Sequence, residues 1–284
     1  MKTNSQKGFT LVELMIALFL SGILLAGLGV AFKSQQDVYI AQEEVAEMQQ
    51  EIRAGLEIML REIRNAGHDI DPAKLTAGVG FSVAGPFQIQ FAMDLTGSAT
   101  GDPDGDILDA NENVAYRLST DVDANGITDA GALDQSLGRD TGGGLQPLTN
   151  NIHALGFAYA YDSNGDGVLE TKVVGGTNSV IWAVPNAAGT TWVDLDNNGD
   201  GIIDANDADP LPATIGLADA TRRSQIRAVR IWILARVSRA DRSYTDTNTY
   251  KVGVNRINAP NDNFRRRLLT ANVRCRNMGI PATP

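Results

Sequence analysis

The feature that most constrains this chain is a predominantly apolar run of 24 residues, from Phe9 to Phe32. Its one ionisable side chain is Glu13. At about 1.5 Å rise per residue, a helix of that length reaches roughly 36 Å, which is enough to cross the ~30 Å hydrocarbon core of a bilayer. Because Lys2 and Lys7 precede the run, the positive-inside rule predicts a cytoplasmic Met1 and an external remainder. The run therefore predicts one membrane-spanning helix.

Glu13 is the anomaly in this helix. A charged side chain in a membrane segment costs roughly 2.5–3.5 kcal/mol on insertion scales, so an intramembrane acid indicates a function. A Glu near the helix end that reaches the headgroups is the plain alternative. A functional role needs a positive partner, and the apolar run contains no Lys, Arg or His. Cleavage between Gly8 and Phe9 would create an α-amino group, which could meet Glu13 of a neighbouring subunit.

The start of the chain resembles the type IV prepilin family, in which a short basic leader ends in Gly and is followed by Phe-Thr-Leu-Val-Glu-Leu. The resemblance implies that a membrane peptidase cuts after Gly8 and methylates Phe9, and that Glu13 registers subunits during assembly. An ordinary secretory signal is instead cut after its apolar core. Here Gly8 precedes the apolar run, which survives processing.

The helical pattern continues beyond the membrane run. No Pro occurs from Lys33 to Asn65, and apolar residues recur at spacings of three and four, which predicts one packed face. Gly67 is a predicted stop. The sequence thus divides into a leader (1–8), a transmembrane and assembly helix (9–32), its extramembrane half (33–66) and a β-rich head (67–284). The predicted stripe comprises Val38, Ala41, Val45, Met48, Ile52, Leu56, Met59 and Ile63.

Past Asp71 the apolar pattern changes to period two, which predicts short strands. We predict an α+β fold: a long N-terminal α-helix, membrane-spanning in its first half, packed on an antiparallel β-sheet globular head with long acidic loops. The alternating runs are Phe87–Met93, Val114–Leu118, Leu155–Tyr161 and Val229–Val237, with further strands expected at Tyr250–Val254 and Phe264–Arg274.

Charge is distributed unevenly around a formal net charge of −10. Residues 94–209 carry 20 acids against three basic side chains, whereas residues 221–284 carry 13 Arg and one Lys against three Asp. Such halves can attract each other within one subunit or between subunits. The arginines lie in strand-like runs, so we expect no nucleic-acid partner. Cys275 is the one cysteine, and we expect it to be buried and inert.

The arginine-rich ending, from Phe264 to Asn277, resembles the closing strand of PilW-type minor pilins. The resemblance implies a minor pilin of a type IV pilus, held in the inner membrane before assembly and then placed in the surface filament or its priming tip complex. Its implied partners are other pilins through the N-terminal helix, the prepilin peptidase, the pilus platform and a tip adhesin. Three alternatives stay open: a J-type pseudopilin of type II secretion, a tip adhesin or uptake subunit, and a calcium-binding membrane anchor that never polymerises.

The acidic middle contains a loop, 196–207, with the spacing of a calcium site. Oxygens stand at loop positions 1, 3, 5, 9 and 12, a backbone carbonyl at 7 and Gly at 6, although Asp replaces the usual terminal Glu and reaches less far. Asp, Asn and Gly also make ordinary turns, which is the plain alternative. The predicted Ca²⁺ ligands are Asp196, Asn198, Asp200, Ile202, Asp204 and Asp207.

A second loop, 162–170, repeats this logic through position 9, and thinner versions lie within 102–134. The second ligand set is Asp162, Asn164, Asp166, Val168 and Glu170; the thinner ones are Asp121, Asp123, Asn125 and Asp129, and Asp102, Asp104 and Asp106. His68 and His153 stand alone in the sequence. No nucleophile–base pair, phosphate loop or zinc spacing is present, so the sequence predicts no enzyme.

Overall fold

The computed structural model describes residues 8–68, 80–95, 106–107, 109–129, 135–207 and 215–278. Contacts divide the chain into two compact units, Met1–Ala46 and Glu47–Pro284. The first helix, α1, is followed by ten strands, a short helix α2 and four more strands. The bounds are α1 Leu11–Arg64, β1 Gly80–Ala84, β2 Ile89–Ala92, β3 Asn113–Leu118, β4 Leu137–Asp140, β5 Gln146–Thr149, β6 Ile152–Tyr161, β7 Thr171–Val174, β8 Thr177–Val180, β9 Ala183–Pro185, β10 Trp192–Asp194, α2 Ala220–Gln225, β11 Ile226–Arg236, β12 Tyr250–Val252, β13 Asn255–Ile257 and β14 Arg266–Arg274.

The C-terminal part of α1 contributes the predicted apolar stripe to the core of the second unit. Burial begins at Met48 and includes Ile52, Leu56, Met59 and Ile63. Packing is close at Gly55, where an added Cβ would lie 2.8 Å from Cγ2 of Thr149 in β5. The helix ends at Arg64, and Gly67 follows with a φ of +76°, which suits its predicted role as a stop. Val38, earlier in the stripe, is 55% exposed.

The described strands form two five-stranded antiparallel sheets, ordered β1-β2-β3-β4-β5 and β10-β9-β6-β11-β14, and two hairpins, β7-β8 and β12-β13. We call the five-stranded sheets the first and the second sheet. The α+β class is confirmed, but the sequence predicted one sheet where the structure has two. The chain changes sheets between β5 and β6, where Asn151 adopts a φ of +57°. Asn tolerates this backbone conformation, and no periodicity predicts a change of sheet there.

Strand β11, in the second sheet, is buried on both faces. Val229, Ile231 and Ile233 lie on one face, as the alternation predicted. On the other, Trp232 and Leu234 pack in one cluster with residues of the β12–β13 hairpin. The two arginines predicted for that face are half-buried: the guanidinium carbon of Arg230 lies 5.2 Å from the Trp232 ring centre, and that of Arg236 lies 4.7 Å from the ring centre of Phe264. The predicted strand is confirmed, and its arginine-bearing face also carries buried residues.

One polar cluster ties α1 to the first sheet. Arg139 of β4 donates to the Glu62 carboxylate through Nε at 3.1 Å and Nη2 at 2.9 Å. The hydroxyl of Tyr116, in β3, donates to the same carboxylate. Burial, followed by the bond to Glu62, raises the pKa of Tyr116, so the phenol stays protonated. Because the Glu62 and Arg139 side chains are only 15% and 22% exposed, each depends on the other for its charge compensation.

Replacing Glu62 with Ala leaves the Arg139 guanidinium and the Tyr116 hydroxyl without their acceptor. We expect the free energy of unfolding to fall by about 1–3 kcal/mol, measured by urea denaturation of the full chain in detergent micelles. Glu57→Ala is the matched control, because Glu57 lies on the same helix and is exposed. The control should change stability by less than about 0.5 kcal/mol. Equal effects of the two substitutions would contradict the assignment.

Candidate functional site

The predicted cleavage and methylation residues, Gly8 and Phe9, and the predicted assembly residue, Glu13, lie at or just before the start of α1. Gly8 and Phe9 precede the helix, and Phe9 is 91% exposed. The backbone N–H and the hydroxyl of Thr10 both donate to Oε2 of Glu13, each at 2.9 Å, and the Glu13 N–H donates back to Oγ1 of Thr10 at 3.3 Å. This is a capping box, which satisfies backbone donors at a helix start. This local role of Glu13 was not predicted from the sequence.

The apolar half of α1 is exposed along its whole length in the single chain. The helix is long and apolar enough to cross a membrane, and none of its most apolar window is buried. Fifteen large hydrophobic side chains between Phe9 and Phe32 are each more than half exposed. Such a surface is covered by lipid or by other apolar helices, since water does not solvate it favourably.

The best calcium candidate, loop 196–207, forms a compact turn held by its own side chains. Asp196 accepts from the backbone N–H groups of Gly199 at 2.9 Å and Gly201 at 2.8 Å. Asn198 accepts from the N–H group of Asp200 at 2.9 Å, and Asp200 accepts from that of Ile202 at 2.8 Å. Gly199 and Gly201 adopt φ of +77° and +88°, so glycine is required where the spacing placed it. The turn predicted from the spacing is present.

Two features of this loop were not predicted. Asp207, at position 12, is buried, and its oxygens accept from the N–H groups of Asn197 at 3.0 Å and Asp204 at 2.9 Å. The ammonium of Lys172, in β7, lies 2.8 Å from Asp196 Oδ2 and 2.6 Å from Asp194 Oδ2. Burial alone would raise the pKa of Asp196, but the hydrogen bonds from Lys172 and Gly201 outweigh it and lower that pKa. A lysine thus compensates the charge of the first predicted ligand.

Loop 162–170 has the same construction. Asp162 accepts from the N–H groups of Gly165 at 2.6 Å and Gly167 at 3.0 Å, and its Oδ2 lies 3.5 Å from Nε of Arg227. Burial opposes ionisation of Asp162, but the Gly167 and Gly165 N–H groups and the Arg227 charge lower its pKa. Glu170, the last predicted ligand, accepts from the backbone and hydroxyl of Ser163.

The two thinner calcium candidates, which begin at Asp121 and Asp102, differ in the structure. Asp121 accepts from the N–H groups of Asn125 and Gly126, each at 2.8 Å, so a third loop repeats the turn. Asp102 and Asp104 lie outside the described residues. Asp106 lies with Asp109 and Glu112 in a group whose ligand atoms are within 4.8 Å of one another. The sequence spacing therefore located the turns, while their cationic neighbours come from distant strands.

A buried ionic cluster near β14 was also missed by the sequence reasoning. The side chain of Arg266 is 1% exposed and donates to Asp246 at 3.1 Å and to Asp262 at 2.6 Å. Its Nε donates to Nδ1 of His153 at 3.0 Å. Burial and then the charge of Arg266 lower the pKa of His153 to about 4. Cys275 is buried as expected, and burial raises the pKa of its thiol to about 12. The thiol is therefore protonated and unreactive at neutral pH.

The lowered pKa of His153 predicts a pH dependence of stability. The folded chain keeps His153 neutral down to pH 4, whereas the unfolded chain takes up a proton near pH 6.5. Stability from this group is complete above pH 6.5 and is lost as the pH falls to 4, by an amount on the order of 2–3 kcal/mol. Urea unfolding at pH 7, 5.5 and 4.5 measures it, and His153→Gln should flatten the curve in that window.

A His153→Gln variant with the wild-type pH dependence would contradict this prediction. The neighbouring aspartates titrate elsewhere, because hydrogen bonds from Arg266 lower the pKa of Asp262 below its ordinary value of 3.8. Their contribution is lost only below pH 4, outside the window of His153.

A capped, apolar N-terminal helix continuing into an antiparallel β-rich unit defines the type IV pilin class. The chain belongs to the type IV pilus-assembly protein W family, whose model matches residues 115–277, more than half of its length. The prokaryotic N-terminal methylation motif matches residues 3–29. The chain is thus a type IV minor pilin with a structural role, as the two sequence resemblances implied, and its motif and apolar helix agree with membrane anchoring.

Solved structures that are similar to this chain include a type IV-like pilin from Thermus thermophilus, which is 17% identical, with a TM-score of 0.37. The match covers 82% of this chain and 99% of that one. Among curated protein sequences, none matches the chain.

Proposed function

We propose that the chain is a low-copy minor pilin that helps to prime the pilus tip. It is inserted once in the inner membrane with its head outside, cut after Gly8, methylated at Phe9, and passed from lipid into the filament through α1. Its partners are other pilins, the prepilin peptidase, the platform protein and a tip adhesin. The observation that carries this proposal is that the apolar half of α1 is exposed along its length and begins with the capping box of Thr10 and Glu13.

The geometry of Glu13 supports its assembly role. Both hydrogen bonds from Thr10 go to Oε2, so Oε1 can receive a further donor without breaking the cap. A neighbouring subunit's N-terminal ammonium, created by cleavage, is such a donor. In lipid or among packed helices, an uncompensated carboxylate is costly, so this pairing favours one register between subunits. Glu13 thus caps its own helix and selects the position of the next one.

Deletion of the gene should give cells with few or no surface pili, counted by electron microscopy and restored by the wild-type gene. Glu13→Ala should be cut normally, shown by loss of residues 1–8 in the mass spectrum, yet be absent from purified filaments. Glu43→Ala is the control, since Glu43 is an exposed acid further along α1.

Two results would redirect the proposal. Normal piliation in the deletion strain, with defective protein secretion, would favour the type II pseudopilin alternative. Incorporation of Glu13→Ala into filaments at the wild-type level would contradict the proposed role of the carboxylate. Absence of the wild type and of every variant from filaments would favour the third alternative, a membrane anchor that never polymerises.

We also propose that loop 196–207 binds Ca²⁺, with loop 162–170 as a weaker site. Hard carboxylate and carbonyl oxygens on alternate residues of a glycine-turned loop suit the large, flexible coordination of calcium. The ammonium of Lys172 forms an ion pair with Asp196, the first predicted ligand, so calcium must displace it in order to bind. Asp207 must likewise exchange backbone donors for the ion. Affinity is therefore limited by competition inside the chain.

Removing the competing charge should strengthen calcium binding. By isothermal titration of the full chain in micelles, we expect Lys172→Gln to raise the affinity about tenfold, which corresponds to roughly 1.4 kcal/mol. Asp200→Asn should lower it by a similar factor, and Asp37→Asn, on the exposed surface of α1, should not change it. No heat of binding at millimolar calcium in either wild type or Lys172→Gln would end the calcium proposal.

A further inference from the structure

Strand β14 ends the second sheet with one side unpaired among the described residues. It runs for nine residues and pairs with β11 from Arg266 to Arg274 without a break in register. No described strand lies on its other side. A long, regular edge offers a row of backbone donors and acceptors to another strand.

Backbone hydrogen bonds determine which groups this edge presents. The Cys275 N–H donates to the Arg227 carbonyl at 2.9 Å, and the Arg265 carbonyl accepts from the Val237 N–H at 2.9 Å. Odd-numbered residues therefore face β11, and the alternation of an antiparallel strand turns the even-numbered ones outward. The Arg276 N–H donates to the Arg64 carbonyl at 3.1 Å, which closes the edge at its C-terminal end. The outward groups of β14 belong to Arg266, Leu268, Thr270, Asn272 and Arg274.

A basic pocket lies beside the C-terminal end of this edge. It has a volume of about 680 Å³ and no carboxylate among its lining residues. Four arginines line it: Arg64, Arg227, Arg274 and Arg276. Arg227 is near Asp162, but the other three form no ion pair with a described residue. Within the described part of the chain, Arg64, Arg274 and Arg276 therefore bring positive charge to the pocket without an acidic partner, which suits it to a carboxylate.

Charged side chains on an edge strand can also prevent unwanted pairing with other chains. The middle of β14 is not protected in this way. From Leu268 to Val273 the strand has no charged residue, no Pro and no bulge. The charged residues of β14 stand at its two ends, Arg266 and Arg267 at the start and Arg274 in the pocket. The uncharged middle of the edge can therefore accept a strand, and the pocket at the C-terminal end favours a strand that carries a carboxylate.

We propose that the outer edge of β14 accepts a β-strand from a neighbouring pilin, with an acidic residue of that strand bound in the four-arginine pocket. Backbone pairing supplies the binding, and the arginines supply selectivity for an acidic segment. The identity of the partner as a pilin rests on the proposed function; the strand-accepting edge does not.

The first test uses the full chain in micelles and a fluorescent eight-residue peptide of alternating Thr and Val that ends in two Glu. Anisotropy should show binding to the wild type. Binding should weaken at least tenfold for a twin peptide N-methylated at alternate residues, and equally for the variant Arg64→Gln/Arg274→Gln/Arg276→Gln. No binding at millimolar peptide overturns the proposal, and so does equal binding of the methylated twin, which would mean an anion pocket without strand pairing.

The second test asks whether the edge is used in cells. Thr270→Pro removes one outward donor and leaves the bonds to β11, since a proline is tolerated on the open side of an edge strand; Thr270→Val keeps the donor. We expect Thr270→Pro to be processed but to give few pili, and Thr270→Val to be normal. Normal piliation by both variants, in a background where deletion removes pili, overturns this inference and leaves the proposed function standing. Should Thr270→Pro not fold, the peptide result decides.

Discussion

The exposed apolar half of α1 is the constraint on which the rest of the molecule depends. A surface of that length and composition is stable only in lipid or against other apolar helices, so this part of the chain cannot be exposed to water in the working protein. The second unit must therefore fold without it. It does so by starting its core at Met48, where the helix stripe becomes buried, and by fastening the helix end through Glu62 to Arg139 and Tyr116.

Charge plays a second, more local part. The sequence shows an acidic middle and a basic end, and some of that attraction is realised within the chain. Arg227 lies beside Asp162, and Lys172, one of the few cations of the middle, lies beside Asp196. Arg266, by contrast, is neutralised by acids of its own region, Asp246 and Asp262. Among the described residues, Arg64, Arg274 and Arg276 lie together near the C-terminal end of β14 without an acidic partner, and this gives that end of the edge its preference for a carboxylate.

The elements predictable from sequence were those with a strong local signal. The apolar run, the stripe through Ile63 and the stop at Gly67 depend on neighbours a few residues apart, and so do the alternation of β11 and the turns of the acidic loops. Three features could not be read in this way. The change of sheet at Asn151, the covering of the Arg230 face and the pairing of Lys172 with Asp196 are each set by segments far away in the chain. Periodicity reports that a face is buried, but not what buries it.

The apolar half of α1 and Glu13 can set the register between any two neighbouring pilins, but features that pilins share do not distinguish one neighbour from another. A subunit that must occupy one position therefore needs a directional contact elsewhere, and a difference in affinity between partners supplies it. Strand pairing is directional, since a shift of one residue turns every side chain to the other face. With the arginine pocket fixed at the C-terminal end of β14, a partner strand carrying one carboxylate has one register in which both requirements are met. In this proposal the helix provides entry to the filament, and the edge of β14 selects the neighbouring subunit.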